Sequence, residues 1–120
     1  MAMFHVLIVE DDPFISLDLQ GALAQVGCDI LGVAPSEAEA LKIGDETRPP
    51  FAVVDLRLSP GDGRVVAREL VERYNTAVLR ATAHVNDPED LAATGALGCL
   101  PKPYEIDDVI AALKSRSRSP

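Results

Sequence analysis

Three apolar runs, HVLIV (5–9), FAVVDL (51–56) and AVLRAT (77–82), do most to restrict what this chain can fold into. Each is too short for a buried helix and too continuously apolar for a strand with one wet face. Each therefore reads as a strand covered on both sides. Two weaker runs, CDILGVA (28–34) and GCLP (98–101), show the same pattern. The stretches between them carry helical spacing. PFISLDLQGALAQVG opens on a proline, closes on Gly27 and places Phe14, Leu17, Leu19, Leu23 and Val26 broadly toward one side. SEAEALKIG offers Ser36 as an N-cap ahead of Ala38 and Leu41. GRVVARELVERY repeats apolar residues at Val65, Val66, Leu70 and Val71, and DPEDLAATGA and EIDDVIAALKS supply two more helices.

Strand and helix thus alternate five times over. Parallel strands need crossovers, crossovers are right-handed, and the helices that make them cover both faces of the sheet. The expected fold is a single doubly wound α/β domain of five parallel strands, in the order 2-1-3-4-5, with five helices. Ligands in such a sheet bind at the carboxyl ends of the strands, near the switch point between strands 1 and 3. The 120 residues suffice for one such domain and leave no room for a second. The domain is expected to span 1–120, with its core at about 4–113 and a frayed basic tail, KSRSRSP, from 114 to 120.

Composition bounds the partners. With 19 acidic and 11 basic residues the formal charge is −8, a field that favours cations and basic surfaces and gives a nucleic acid nothing. Cys28 and Cys99 have no metal-ligand spacing and read as buried, reduced thiols. MAMFHVLIVEDD lacks both the basic region of a signal peptide and the apolar length of a membrane span, so a cytoplasmic protein without a membrane partner is expected.

The residues at the carboxyl end of each strand then carry the chemistry. Strand 1 runs straight into Glu10, Asp11 and Asp12, strand 3 ends at Asp55, strand 4 at Thr82, and Lys102 comes just after strand 5. Carboxylates crowded at one sheet edge repel one another unless a cation takes their oxygens. Mg2+ suits a set of one or two carboxylates completed by waters and a phosphate oxygen. Asp12, one residue further on, is expected to turn outward and begin the helix, where negative charge suits the dipole. Thr82 and Lys102 would suit an anion beside the cation. A carboxylate, a divalent cation, an ammonium and a hydroxyl meeting at one place form a phosphoryl-transfer arrangement, with Asp55 as the nucleophile.

With LIVEDD, VVDLRL and its PGDG, RATA and LPKPY in place, the chain resembles the receiver domain of two-component response regulators, in its stand-alone, chemotaxis-regulator-like form, from about Phe4 to Leu113. That resemblance implies a flavodoxin-like fold and a phosphorylation-activated signalling switch. It implies that Asp55 takes a phosphoryl group from the phosphohistidine of a histidine kinase or phosphotransfer protein. Asp11 would be the direct Mg2+ ligand, Glu10 its water-linked companion, and the backbone carbonyl of Arg57 a further ligand. Thr82 would bond one phosphoryl oxygen and Lys102 another, while Arg57, Ala83 and His84 would tune the lifetime of the acyl phosphate. Output to a downstream protein or to a second copy would use the surface of the fourth helix, fifth strand and fifth helix, about residues 86–114.

The chain also departs from the family pattern. Cys99 stands where the family commonly has an aromatic residue whose rotamer reports phosphorylation, so a switch carried by the loop after strand 4 is expected instead. Two other functions share the site chemistry. A Mg2+-dependent aspartyl-phosphate phosphohydrolase usually carries a second acid two residues after its nucleophile, and here that residue is Arg57. A pseudo-receiver acting only as a binding module has no need of the full acid set. KSRSRSP cannot form an output domain, so the chain is expected to be either a stand-alone receiver or a piece of a longer regulator.

Overall fold

A computed structural model describes residues 4–82, 96–101 and 105–117. The elements in chain order are β1 (His5–Val9), α1 (Pro13–Gln25), β2 (Asp29–Ala34), α2 (Glu37–Thr47), β3 (Phe51–Asp55), α3 (Gly63–Tyr74), β4 (Ala77–Thr82), β5 (Ala96–Pro101) and α4 (Ile106–Ser117). The strands form one parallel sheet in the order β2-β1-β3-β4-β5, as the alternation of elements predicts. The helix expected over DPEDLAATGA lies, apart from Ala96 at the start of β5, outside the described residues. The last helix continues to Ser117, beyond Lys114, where a tail is expected.

Successive strand residues point to opposite faces, and this splits the apolar runs between two cores. Val6 and Ile8 of β1 join Val53 and Leu79 on one face, beneath Leu19 and Leu23 of α1 and Val109 and Leu113 of α4. Leu7 and Val9 join Ala52, Val54 and Val78 on the other, beneath Ala40 of α2 and Val66, Ala67 and Leu70 of α3. Each fully buried Leu or Val side chain contributes about 1.5–3 kcal/mol. A strand buried on both faces therefore favours apolar residues along its length, which is why β1 and β3 read as nearly unbroken runs, while β4 carries the buried Arg80.

Side-chain caps set the helix starts. Asp12 Oδ1 accepts the N–H groups of Phe14 (2.9 Å) and Ile15 (3.4 Å), Ser36 Oγ accepts that of Glu39 (3.3 Å), and Asp62 Oδ1 accepts that of Arg64 (2.8 Å). Arg48 and Asn75, both left-handed, end α2 and α3. α2 runs past Gly44, where the expected segment ends. That glycine is buried inside the helix, and a Cβ there would meet Leu70 Cδ2 at 2.7 Å, so it permits α2 to approach α3.

One helix face differs from its expectation. Leu19 and Leu23 are buried, but Phe14 is 79% exposed, Leu17 63% and Val26 37%. At 100° per residue, Phe14 and Leu17 sit about 140–160° away from Leu19 around the helix axis. Val26 shares the azimuth of Leu19 but lies past the last helical residue, as the C-cap.

Candidate functional site

The parallel register of β1 and β3 pairs Val9 with Val54, so the next residues, Glu10 and Asp55, emerge side by side at the carboxyl edge of the sheet. Asp55 is 4% exposed and Glu10 3%, while Asp11 is half-buried. One carboxylate oxygen from each of the three lies within 4.8 Å of the others. Asp12 turns away to cap α1. The acidic run thus divides into two roles: two residues face the site and the third starts the helix.

Backbone donors hold each acid in place. Glu10 Oε2 accepts the N–H of Asp12 (3.1 Å), Asp55 Oδ1 that of Arg57 (3.0 Å), and Asp11 Oδ2 that of Ser59 (3.1 Å). The loop after β3 is therefore tied to acids from two strands. It is anchored inside by the buried Leu56 and Leu58, which leaves Arg57 exposed between them. The loop closes where α3 begins, because Gly63 packs directly on the backbone of Asp55: a Cβ there would overlap the Asp55 carbonyl oxygen and stand 2.7 Å from Leu56 Cα. Glu37, on the first turn of α2, accepts the N–H of Asp62 (2.9 Å) from outside the loop.

Charge around the cap of α3 is balanced locally. Burial acts to raise the pKa of Asp62, but hydrogen bonds from the side chain and backbone of Arg64 outweigh it and the net direction is downward. That contribution to stability is present above the unfolded pKa and is lost as pH falls through the lowered one. The thiol of Cys28 is buried and its pKa is raised by that burial, which keeps it protonated and unreactive.

Three oxygen donors of this spacing suit a hard divalent cation. Opposite oxygens in a Mg2+ shell stand about 4.2 Å apart, so a set held within 4.8 Å is compatible in size, with one member acting through water. Of the other residues expected at the site, Thr82 is the last residue of β4 and Cys99 lies in β5, paired in register with Arg80. Ala83, His84 and Lys102 lie outside the described residues. Glu37 also contacts the loop, through the amide of Asp62, as Asp11 does through that of Ser59, and sequence reasoning misses these ties. A glutamate just after an N-cap serine is ordinary, and nothing local marks it as a loop contact.

A family model described as the response regulator receiver domain matches residues 6–114. The transcriptional regulatory protein PdtaR of Mycobacterium tuberculosis is 30% identical over 112 residues, which cover 92% of this chain and 55% of that protein. The acid tolerance regulatory protein ActR of Rhizobium meliloti is 36% identical over 115 residues, 92% of this chain and 58% of that protein. The chain spans about half the length of these curated relatives. Among solved structures, the non-phosphorylated HemR receiver domain from Leptospira biflexa superposes with a TM-score of 0.84 at 26% identity, covering 97% of this chain and 95% of that one. Among the described residues, no helix is long and apolar enough to cross a membrane.

Proposed function

Because the chain belongs to the response regulator receiver domain family, whose members are phosphorylation-activated switches of two-component signalling, we propose that Asp55 is its phosphoacceptor. One observation carries the reading: Asp55, buried at the end of β3, stands with Glu10 and Asp11 from the end of β1 so that an oxygen of each lies within 4.8 Å. The donor is the phosphohistidine of a histidine kinase or phosphotransfer protein. An Asp55 oxygen bonds to phosphorus as the bond from phosphorus to the donor's imidazole nitrogen breaks, and the nitrogen keeps the electron pair.

Mg2+, held by Glu10, Asp11, Asp55 and the backbone carbonyl of Arg57, supplies positive charge for the phosphoryl oxygens when bound. The hydrogen bond from the Arg57 N–H fixes one Asp55 oxygen, which leaves the carboxylate a defined direction of attack. Thr82 and Lys102 complete the anion's surroundings, and Arg57, Ala83 and His84 govern access of water to the acyl phosphate. Two exposed apolar side chains on α1, Phe14 and Leu17, suit a protein donor better than a small molecule. The phosphorylated domain then shifts a pre-existing equilibrium of the surface near residues 86–114, where a downstream protein or a second copy docks.

The test is incubation with Mg2+ and acetyl phosphate, then intact mass measurement. One added phosphoryl group is expected, absent in EDTA and absent in Asp55→Asn, which keeps the side chain's size but removes the anionic nucleophile. A variant labelled as fully as the parent would contradict the assignment.

A further inference from the structure

We infer that Glu37, a residue of α2 with no place in the site itself, is a positioning residue for it: a latch that holds the β3–α3 loop in the shape the cation requires. The inference rests on the proposed role of Asp55 and its acidic neighbours. The loop leaves the sheet at Asp55 and re-enters structure at Gly63, which packs on the Asp55 backbone, so its two ends are fixed, while between them the buried Leu56 and Leu58 anchor its first half and leave Ser59 to Asp62 to be held by polar ties. Three carboxylates collect amides of the loop. Asp55 takes the N–H of Arg57, Asp11 that of Ser59, and Glu37 that of Asp62, at 3.0, 3.1 and 2.9 Å. The first two acids are the ones that would receive a cation. Glu37 comes from another helix, and it holds the loop whether or not the site is filled.

The residues around Glu37 are arranged for this contact. Gly61 has φ +106°, and a Cβ on it would come 2.5 Å from Glu37 Cβ, 3.2 Å from Glu37 N and 3.3 Å from Oε1. Any side chain at 61 would push the loop off α2. The carboxylate of Asp62 is turned to Arg64, accepting from its backbone N–H at 2.8 Å and from Nε and Nη2 at 3.2 Å each. Ser36 caps α2 through Glu39, so Glu37 is not needed as the cap. Apparent affinity falls in proportion to the population of a binding-competent loop. A latch that keeps the loop closed therefore strengthens cation binding without touching the cation.

Three variants separate position from charge. Glu37→Gln keeps the acceptor oxygen and loses the charge, Glu37→Asp keeps the charge and loses the reach, and Glu37→Ala loses both. The readouts are hydrogen exchange of the Asp62 amide in metal-free protein, Mg2+ titration by calorimetry, and the rate of labelling by acetyl phosphate at saturating Mg2+. Glu37→Ala and Glu37→Asp are expected to speed the exchange and to weaken Mg2+ binding by about three- to tenfold, the span of one hydrogen bond. Glu37→Gln stays near the parent in both, and labelling at saturating Mg2+ is close to parental in all three. If Glu37→Gln is as weak as Glu37→Ala, the effect is one of charge and the latch is wrong. If exchange speeds up in Glu37→Asp while its Mg2+ affinity is unchanged, the loop tie does not serve the site and the inference also falls. A parent protein that takes no phosphoryl group would overturn the proposed function, while exchange and Mg2+ affinity would still decide the latch.

Discussion

Replacing Gly63 with alanine is expected to destabilise the protein by about 1–3 kcal/mol or more, the cost of forcing extra atoms into a packed interior. The added methyl would overlap the carbonyl oxygen of Asp55 and crowd Leu56 Cα, and neither is the end of a flexible side chain that could swing aside. The chain can relieve the overlap only by parting the start of α3 from the end of β3. That movement carries Asp55 away from Glu10 and Asp11, so Mg2+ binding should weaken with stability. Gly21→Ala is the matched control, since a Cβ there meets nothing within 4 Å on the exposed side of α1. It should stabilise by about 0.5–1 kcal/mol, the gain of alanine over glycine inside a helix. Urea unfolding of the two variants checks both signs. A Gly63→Ala protein as stable as the parent would mean that the close approach of α3 to Asp55 is not real.

The second large effect concerns the acids of β1. Asp11→Ala is expected to weaken Mg2+ binding by more than about 100-fold, whereas loss of a residue acting through water, as in Glu10→Ala, costs about 10–100-fold. The division is the one that the receiver family pattern assigns to Asp11 and Glu10: truncating a direct ligand removes a bond to the cation that a water-linked residue does not make. Ligands that bind only the folded state raise its stability by mass action. Millimolar Mg2+ should therefore raise the melting temperature of the parent, raise that of Glu10→Ala less, and leave that of Asp11→Ala unchanged. Equal losses in the two variants would remove the distinction between a direct and a water-linked ligand.

Much of this site can be read from the sequence because strand ends are sharply marked. A charge is costly in the middle of a strand buried on both faces, though β4 holds the buried Arg80 there, so the first acid after HVLIV and the last residue of FAVVD are best placed at the sheet edge. Parallel order then brings the edges together. β1 and β4 match their apolar runs residue for residue, and Ser36 caps α2 as its side chain predicts. Legibility fails where a role depends on a distant element. Gly44 looks like a helix end, but Leu70 of α3 decides that it lies within the helix. Phe14 and Leu17 look like core residues until the buried stripe of α1 is located by Leu19 and Leu23. Glu37 carries no local sign of its loop contact, which depends on the path taken from Asp55 to Gly63. Asp12 succeeds for the opposite reason, since its capping partners lie within three residues.

Whether Asp55 itself carries the phosphoryl group is decided by trapping the acyl phosphate. Protein labelled with acetyl phosphate and Mg2+ is treated with borohydride, which reduces an aspartyl phosphate to homoserine with release of phosphate, and is then digested and sequenced by mass spectrometry. Homoserine is expected at position 55, with aspartate retained at 11, 12 and 62, and no conversion when Mg2+ is removed. Homoserine at any of those other positions, with aspartate intact at 55, would contradict the assignment to Asp55.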